Sequence, residues 1–384
     1  MQNKKIFMMT SEESFHNNYG ALLQGYALFS VLSSLDYDTK IIRYKGEYKP
    51  TKSTLLKNPI TRFIKQIGKQ ILRKENNLGK NNKLDKQRKI AFAQFQKDHL
   101  LFLNKKQWNY RKLKKNAPLA FAYVCGSDQI WNPAFRGDWC ERGYFLEFVD
   151  DSCKRIAYAP SLGVTKLSKQ VQTQIKPLLQ KFNAISTREQ AGADLIENTI
   201  NKHVPVVLDP TLIYDRELWL DLAKPVKNLP KNYILVYHFS DKNCLKESTL
   251  TLAQKYNLDV VSIPLNSVGY EDGFKNVYAS IEEFIYLIKN AKLVCTDSFH
   301  ATVFSIIAQT PFLTFLRENI GNGDNMNSRI ENLLRMTNLT DRIITNNNDL
   351  DSKDVFAVVF NEAHSIIDQE KEKSLSYLKS ALEK

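Results

Sequence analysis

Long apolar runs are missing from this chain: nowhere do roughly 18 apolar residues follow one another, so no segment reads as a bilayer span. Behind Lys4 and Lys5 the N-terminus offers only Ile6–Met9 before polar residues resume, far short of a signal peptide's apolar stretch, and the expectation is a cytoplasmic protein. The five cysteines, Cys125, Cys140, Cys153, Cys244 and Cys295, form no CxxC pair and are odd in number. That pattern argues against a disulfide framework and against a zinc site, and it fits reduced thiols. Cys125 and Cys295 lie in apolar runs and read as small buried residues rather than nucleophiles. No internal repeat is evident.

The 384 residues present are 43% apolar, with 21 Phe, 17 Tyr and 4 Trp, enough for two α/β cores of ordinary size. The formal charge of +13 is unevenly spread: positions 49–115 hold 20 Lys and Arg against 3 acids, net +17, which leaves −4 for everything else. A nucleic-acid-coated surface would spread its charge more widely, so nucleic acid is not expected as a partner. Within this insertion Ile60, Phe63, Ile64, Ile67 and Ile71 recur at helical spacing among Arg62, Lys65, Lys69, Arg73 and Lys74. The 60–74 helix so expected either packs on its own domain or lies on an anionic membrane surface, at the inner face of the cell membrane.

Strand and helix patterns alternate. Lys4–Met9, Ala21–Leu35 and Thr39–Tyr44 read as a βαβ opening, followed by strands at Leu119–Cys125, Arg155–Ala159, Ala184–Ser186 and Val204–Leu208. After a Pro-punctuated stretch the alternation restarts with Tyr233–Phe239, then Asp259–Ile263, Leu293–Thr296 and Pro311–Phe315 as strands. Helices are expected at Cys244–Tyr256, Ile281–Asn290, Phe299–Ala308 and Ser328–Met336, and over Lys353–Leu382. The fold class is α/β: two Rossmann-like domains in a GT-B-like arrangement with a cleft between them. Residues 1–215 form the N-terminal, acceptor-side domain, 216–365 the donor-side domain, and 366–384 a C-terminal helix.

Several strand ends carry chemistry. Thr296-Asp297-Ser298-Phe299-His300 runs from a strand into a helix, so His300 either caps a turn or faces an anion at the helix terminus. Gly126-Ser127-Asp128-Gln129-Ile130-Trp131-Asn132 follows an apolar strand; Asp128, Gln129 and Asn132 can bracket sugar hydroxyls, and Trp131 is either an apolar face for a pyranose or core. Arg188 opens another strand-to-helix junction and either forks onto an anion or pairs with Glu189. Arg329 follows a polar loop, 318–326, and opens a helix. Asn18-Tyr19-Gly20-Ala21, with Gln24, turns into the first helix.

Five segments, Asn18-Tyr19-Gly20-Ala21, Gly126-Ser127-Asp128-Gln129-Ile130-Trp131-Asn132, Ser186-Thr187-Arg188-Glu189, Leu208-Asp209-Pro210-Thr211 and Thr296-Asp297-Ser298-Phe299-His300, in this order along the chain, resemble the polysaccharide pyruvyl transferase family over about residues 5–340. The resemblance implies phosphoenolpyruvate as donor and co-substrate, no cofactor and no metal, and a pyruvyl ketal placed on two hydroxyls of a sugar, lipid-linked or not. It implies His300 as the motif histidine and Arg188 as the arginine at the inter-domain face; Arg329 is a looser match. On this reading His300 and Asp128 are the catalytic pair. Arg188, Arg329, Ser298 and Asp297 hold the donor; Asn18, Tyr19, Gln129, Trp131 and Asn132 hold the acceptor. Two other readings remain, a GT-B glycosyltransferase using a nucleotide sugar and a non-catalytic carbohydrate-binding protein of a polysaccharide assembly complex.

Overall fold

The computed structural model describes residues 4–12, 15, 17–46, 78–136, 140–240, 243–265, 274–317, 327–350 and 353–383. The helix expected at 60–74 and the loop at 318–326 lie outside these residues.

The first half consists of β1 (Lys5–Met9), α1 (Tyr19–Ser34), β2 (Asp38–Ile41), α2 (Leu78–His99), α3 (Tyr110–Asn116), β3 (Ala122–Cys125), β4 (Lys154–Ala157), α4 (Lys169–Leu179), β5 (Ala184–Ile185), α5 (Gln190–Ile200), α6 (Pro210–Ile213) and α7 (Arg216–Asp221). Its five strands are parallel, in the order β2-β1-β3-β4-β5. The second half consists of β6 (Tyr233–Tyr237), α8 (Asn243–Tyr256), β7 (Asp259–Ser262), β8 (Lys275–Asn276), α9 (Ile281–Asn290), β9 (Leu293–Thr296), α10 (Phe299–Ile307), β10 (Phe312–Phe315), α11 (Ser328–Met336), β11 (Ile343–Ile344) and α12 (Phe360–Glu383). Its six strands are also parallel, in the order β11-β10-β9-β6-β7-β8. Numbered within their own halves, the two orders are 2-1-3-4-5 and 6-5-4-1-2-3, the two doubly wound arrangements of α/β sheets. In each, chain direction across the sheet reverses beside the first strand, which opens a crevice at the carboxyl ends of β1/β3 and of β6/β9.

The central strands are buried along their whole length, as in Tyr233–Tyr237 and Leu293–Thr296, because helices cover both faces of each sheet. Helix α1 is apolar nearly all round and buried from Tyr19 to Phe29, for it is wedged between the halves. There Tyr19 stacks on Phe284 with ring centroids 4.5 Å apart and donates its hydroxyl to the Ala279 carbonyl at 2.6 Å. One core continues from Ile6, Met8 and Leu22 through to Leu235, Val261 and Val294. Helix α12 joins the halves a second time. His364 meets the Ile306 carbonyl at 2.7 Å near its start, whereas Ser374 accepts from the Leu208 amide at 3.0 Å and Tyr377 donates to the Ala157 carbonyl further along.

Three expectations need correction. Val204–Leu208 is no strand: a single bridge, Thr187 to Val206, forms there, since Pro205 has no N–H to give to a ladder. The last helix begins at Phe360 rather than Lys353, because Asp354 accepts from the amides of Phe356 and Ala357 and holds that stretch in a turn. It runs unbroken through the boundary expected at 365/366 and packs on both halves.

Candidate functional site

Two strand ends and a helix cap of the first half converge with two helix starts of the second. After β3 the chain turns at Gly126, with φ 137°, where a Cβ would lie 1.9 Å from the Tyr158 carbonyl oxygen; only glycine lets the loop pass so close to β4. Ser127 is then pinned, its amide donating to Gln24 of α1 at 3.1 Å and its hydroxyl to the Ala159 carbonyl at 3.1 Å and to Asp209 at 3.2 Å. Asp128 follows with φ 62°, in the left-handed region, and presents its side chain to Arg188.

Arg188 projects from the junction of β5 and α5 into a nest of acids. Nη1 donates to Asp209 Oδ2 at 2.7 Å, while Asp128 lies 3.5 Å from Nη2 and Glu189 3.6 Å from Nε. Burial works to lower its pKa, and the three carboxylates more than offset that, so it keeps its charge. Asp209, at the N-cap of α6, also accepts from the Thr211 amide at 3.1 Å and hydroxyl at 2.7 Å. Burial alone would raise its carboxyl; His300, Arg188 and the Thr211 donors hold it below the usual range.

From the second half, Ser298 caps α10 by accepting from the Ala301 amide, and His300 sits in the first turn, 8% exposed. Its ring packs on Gly20 of α1 so closely that a Cβ there would lie 2.0 Å from Nδ1. Nε2 stands 3.8 Å from Asp209 Oδ1 and has no hydrogen-bond partner among the described residues. Burial, with Arg188 and Arg329 acting in the same direction against Asp209 and Asp128, pushes the imidazole down to about 4; it is neutral at pH 7. Arg329, at the start of α11, has no ion pair among the described residues, although it is 8% exposed. With the Gln129 amide oxygen turned toward it, that oxygen accepts from Nη2 at 2.9 Å, and Nε is left without a partner. Burial, reinforced by Arg188, lowers its pKa to about 9. The Phe299 ring lies beside both guanidiniums, 5.3 Å from Arg188 and 5.8 Å from Arg329.

The site therefore brings together His300, Arg188, Arg329, Asp128 and Gln129 of the residues picked from sequence, and adds Asp209, Glu189, Ser127 and Phe299. The sequence signal for Asp209 is its place before Pro210 in Leu208-Asp209-Pro210-Thr211, which marks a helix start but not the direction of the carboxylate. The other picks serve the scaffold. Trp131 is 4% exposed, stacked on Phe145 at 4.8 Å with its indole N–H on the Tyr144 carbonyl, so it offers no face to a sugar. Tyr19 is spent on the wedge between the halves, and Asn18 caps α1 by accepting from the Ala21 amide. Asn132 is buried and accepts from the Ala134 amide. Asp297 turns away: it accepts from the Phe239 and Ser240 amides and pairs with Arg317 at 3.3 Å, fixing the loop after β6, and its charge would repel an anion. Among the described residues no group of three His, Cys, Asp or Glu could hold a metal ion, and no helix is long and apolar enough to cross a membrane. An open groove of about 480 Å3 between Arg216 and α12 carries none of the five segments.

Comparison with known proteins gives three findings. A family model described as polysaccharide pyruvyl transferase matches residues 18–319. Over 136 residues the chain is 30% identical to General stress protein 30 of Bacillus subtilis (strain 168), a stretch covering 34% of this chain and only 37% of the length of that curated relative. Among solved structures, a Listeria monocytogenes protein assigned as a UDP-N-acetylglucosamine 2-epimerase superposes with a TM-score of 0.52 at 10% identity, covering 98% of this chain and 96% of that one. The corresponding Rickettsia bellii epimerase gives 0.46 at 14%, with 100% and 98% covered. The Listeria likeness concerns the fold alone, two Rossmann-like domains in a GT-B-like arrangement.

Proposed function

This chain belongs to the polysaccharide pyruvyl transferase family, and on that premise we propose that it transfers the pyruvyl group of phosphoenolpyruvate to two hydroxyls of a sugar in a cell-surface polysaccharide or its precursor, closing a pyruvate ketal. The observation that carries the reading is Arg329: a buried cation with no ion-pair partner among the described residues, on which Glu189 and Asp128 act only from a distance, near an unpartnered histidine nitrogen at a helix N-terminus. Such an arrangement is costly in the free protein and is repaid by a small, dense anion. Phosphoenolpyruvate, with about three negative charges, is one.

In this mechanism Arg329, the Nη2 of Arg188, which faces Asp128 at 3.5 Å without a hydrogen bond, and the first amides of α10 take the phosphate and carboxylate. His300 gives a proton to the methylene carbon, which leaves a cationic centre at C2. An acceptor hydroxyl attacks C2 as Asp128, the most accessible of the three acids around Arg188, takes its proton. The C2–O bond to phosphate breaks, a second hydroxyl closes the ketal, and its proton leaves with phosphate. Gln129, held by Arg329, is the acceptor-side residue nearest this chemistry.

Incubating the protein with phosphoenolpyruvate and a panel of sugar, nucleotide-sugar and lipid-linked acceptors tests the reading. Phosphate release coupled to the mass gain of one ketal on an acceptor supports it; glycosyl transfer from a nucleotide sugar, with phosphoenolpyruvate left intact, overturns it. Membrane contact belongs to the same proposal. Exposed Arg111, Lys114 and Lys115 of α3 form the C-terminal end of the basic insertion, and salt-sensitive co-sedimentation with anionic vesicles is the expected result. Equal binding to neutral vesicles would contradict it.

A further inference from the structure

Asp209 is 2% exposed, yet its carboxylate is where the cluster meets. Four donors reach it: Arg188 Nη1, the Ser127 hydroxyl, and the amide and hydroxyl of Thr211. An acid placed only to fasten loops would be complete with these. A fifth neighbour is present, His300 Nε2 at 3.8 Å from Oδ1, just beyond hydrogen-bond reach and otherwise unpartnered. A short movement of the ring would close that gap, and only a ring carrying its proton at Nε2 gains from it.

We infer that Asp209 is a positioning residue for the transfer: its carboxylate is the counter-charge that lets His300 hold the proton it delivers, once the donor has occupied the guanidinium groups. This rests on phosphoenolpyruvate being the donor. The charged groups that face the imidazole are Asp209 before α6, Arg188 after β5, Asp128 after β3 and Arg329 of α11, while α1 contributes the uncharged Gly20. In the free site both arginines oppose a second positive charge, and burial keeps the ring neutral. A bound anion cancels that opposition and adds negative charge, with Asp209 still beside Nε2. The ring then takes up a proton from solvent on donor binding and passes it to the methylene carbon. A C–H bond forms at the methylene carbon as the C=C π bond breaks, and at C2 two C–O bonds form while the C–O bond to phosphate breaks; of the two hydroxyl protons, one goes to Asp128 and offsets the proton given by His300, and the other leaves with phosphate.

Asp209→Asn preserves size and removes the charge, keeping the two hydrogen bonds accepted by one oxygen and giving up the two accepted by the other. His300 acts in its protonated form, so activity falls as pH rises through its apparent pKa in the donor complex. Without Asp209 that alkaline limb should move down by about one to two pH units, and kcat above it should fall about 10- to 100-fold, because each unit is a tenfold loss of the protonated ring. Donor KM should change little, and Asp209→Glu should restore part of the limb. A raised KM with the limb unmoved would mean that Asp209 only fastens Arg188, and the inference would be wrong. If the variant does not fold, calorimetry of the wild type with phosphoenolpyruvate in two buffers of different ionisation enthalpy decides. Proton uptake on binding at neutral pH is expected; binding without uptake overturns this inference alone. No binding at all overturns the donor assignment, and this inference with it.

Discussion

Arg329 and Arg188 are both buried guanidiniums a few ångströms from one phenylalanine ring, but removing them should have opposite effects on stability. Arg188 neutralises carboxylates that water cannot reach, so Arg188→Ala strands Asp209 and Glu189 and should destabilise by about 3–5 kcal/mol. Arg329 has no such partner among the described residues. Arg329→Met should leave the fold intact or raise its stability by about 1 kcal/mol while abolishing donor binding, the trade-off of a charge kept for function. Thermal unfolding of the two variants distinguishes the cases; a large loss of stability in Arg329→Met would show that its charge serves the fold. His300→Ala should stay folded and lose turnover by about 100-fold or more. Most activity retained at saturating donor would remove the imidazole from the chemistry.

Helix α1 links scaffold and site. Its second residue, Gly20, is where the imidazole rests, so Gly20→Ala must displace either the helix or the ring. A shift near 1 Å of a reacting group costs about 100-fold, and the variant should show a kcat loss of that order with a donor KM close to wild type. Full activity would mean that the ring position is not critical. The same helix shows what a sequence discloses at this scale. Uninterrupted apolar runs such as Tyr233–Tyr237 identify parallel strands directly, and Ser298 and Asn18 announce helix starts by their capping chemistry. Two-residue strands such as Lys275–Asn276 and Ile343–Ile344 carry too little pattern to be seen. Within one motif, neighbours serve opposite masters: Asp128 and Gln129 face the cluster, whereas Ile130 and Trp131 reach down into the core. Residue type alone does not tell an aromatic platform from an aromatic anchor, and Trp131 and Tyr19 are anchors.

At the scale of the whole molecule, the cleft was foreseeable from two doubly wound patterns in succession; the meeting of Arg188, Asp209, His300 and Arg329 was not, because it depends on how the two sheets are docked. That docking is firm. A continuous core, the Tyr19–Phe284 stack and the two-sided helix α12 argue against the wide hinge closure expected of two loosely joined domains. Solution scattering should accordingly give the same radius of gyration with and without phosphoenolpyruvate; a clear contraction on binding would refute the rigid arrangement. Water exclusion then falls to side chains and loops around a site that is already closely packed. Central to the mechanism is the binding of a small, highly charged enol phosphate by this cluster. Calorimetric titration with phosphoenolpyruvate, beside a panel of nucleotide sugars, measures that directly: one molecule of phosphoenolpyruvate bound per chain by the wild type, and none by Arg329→Met, is the predicted result. Saturable heat from a nucleotide sugar with none from phosphoenolpyruvate would contradict it.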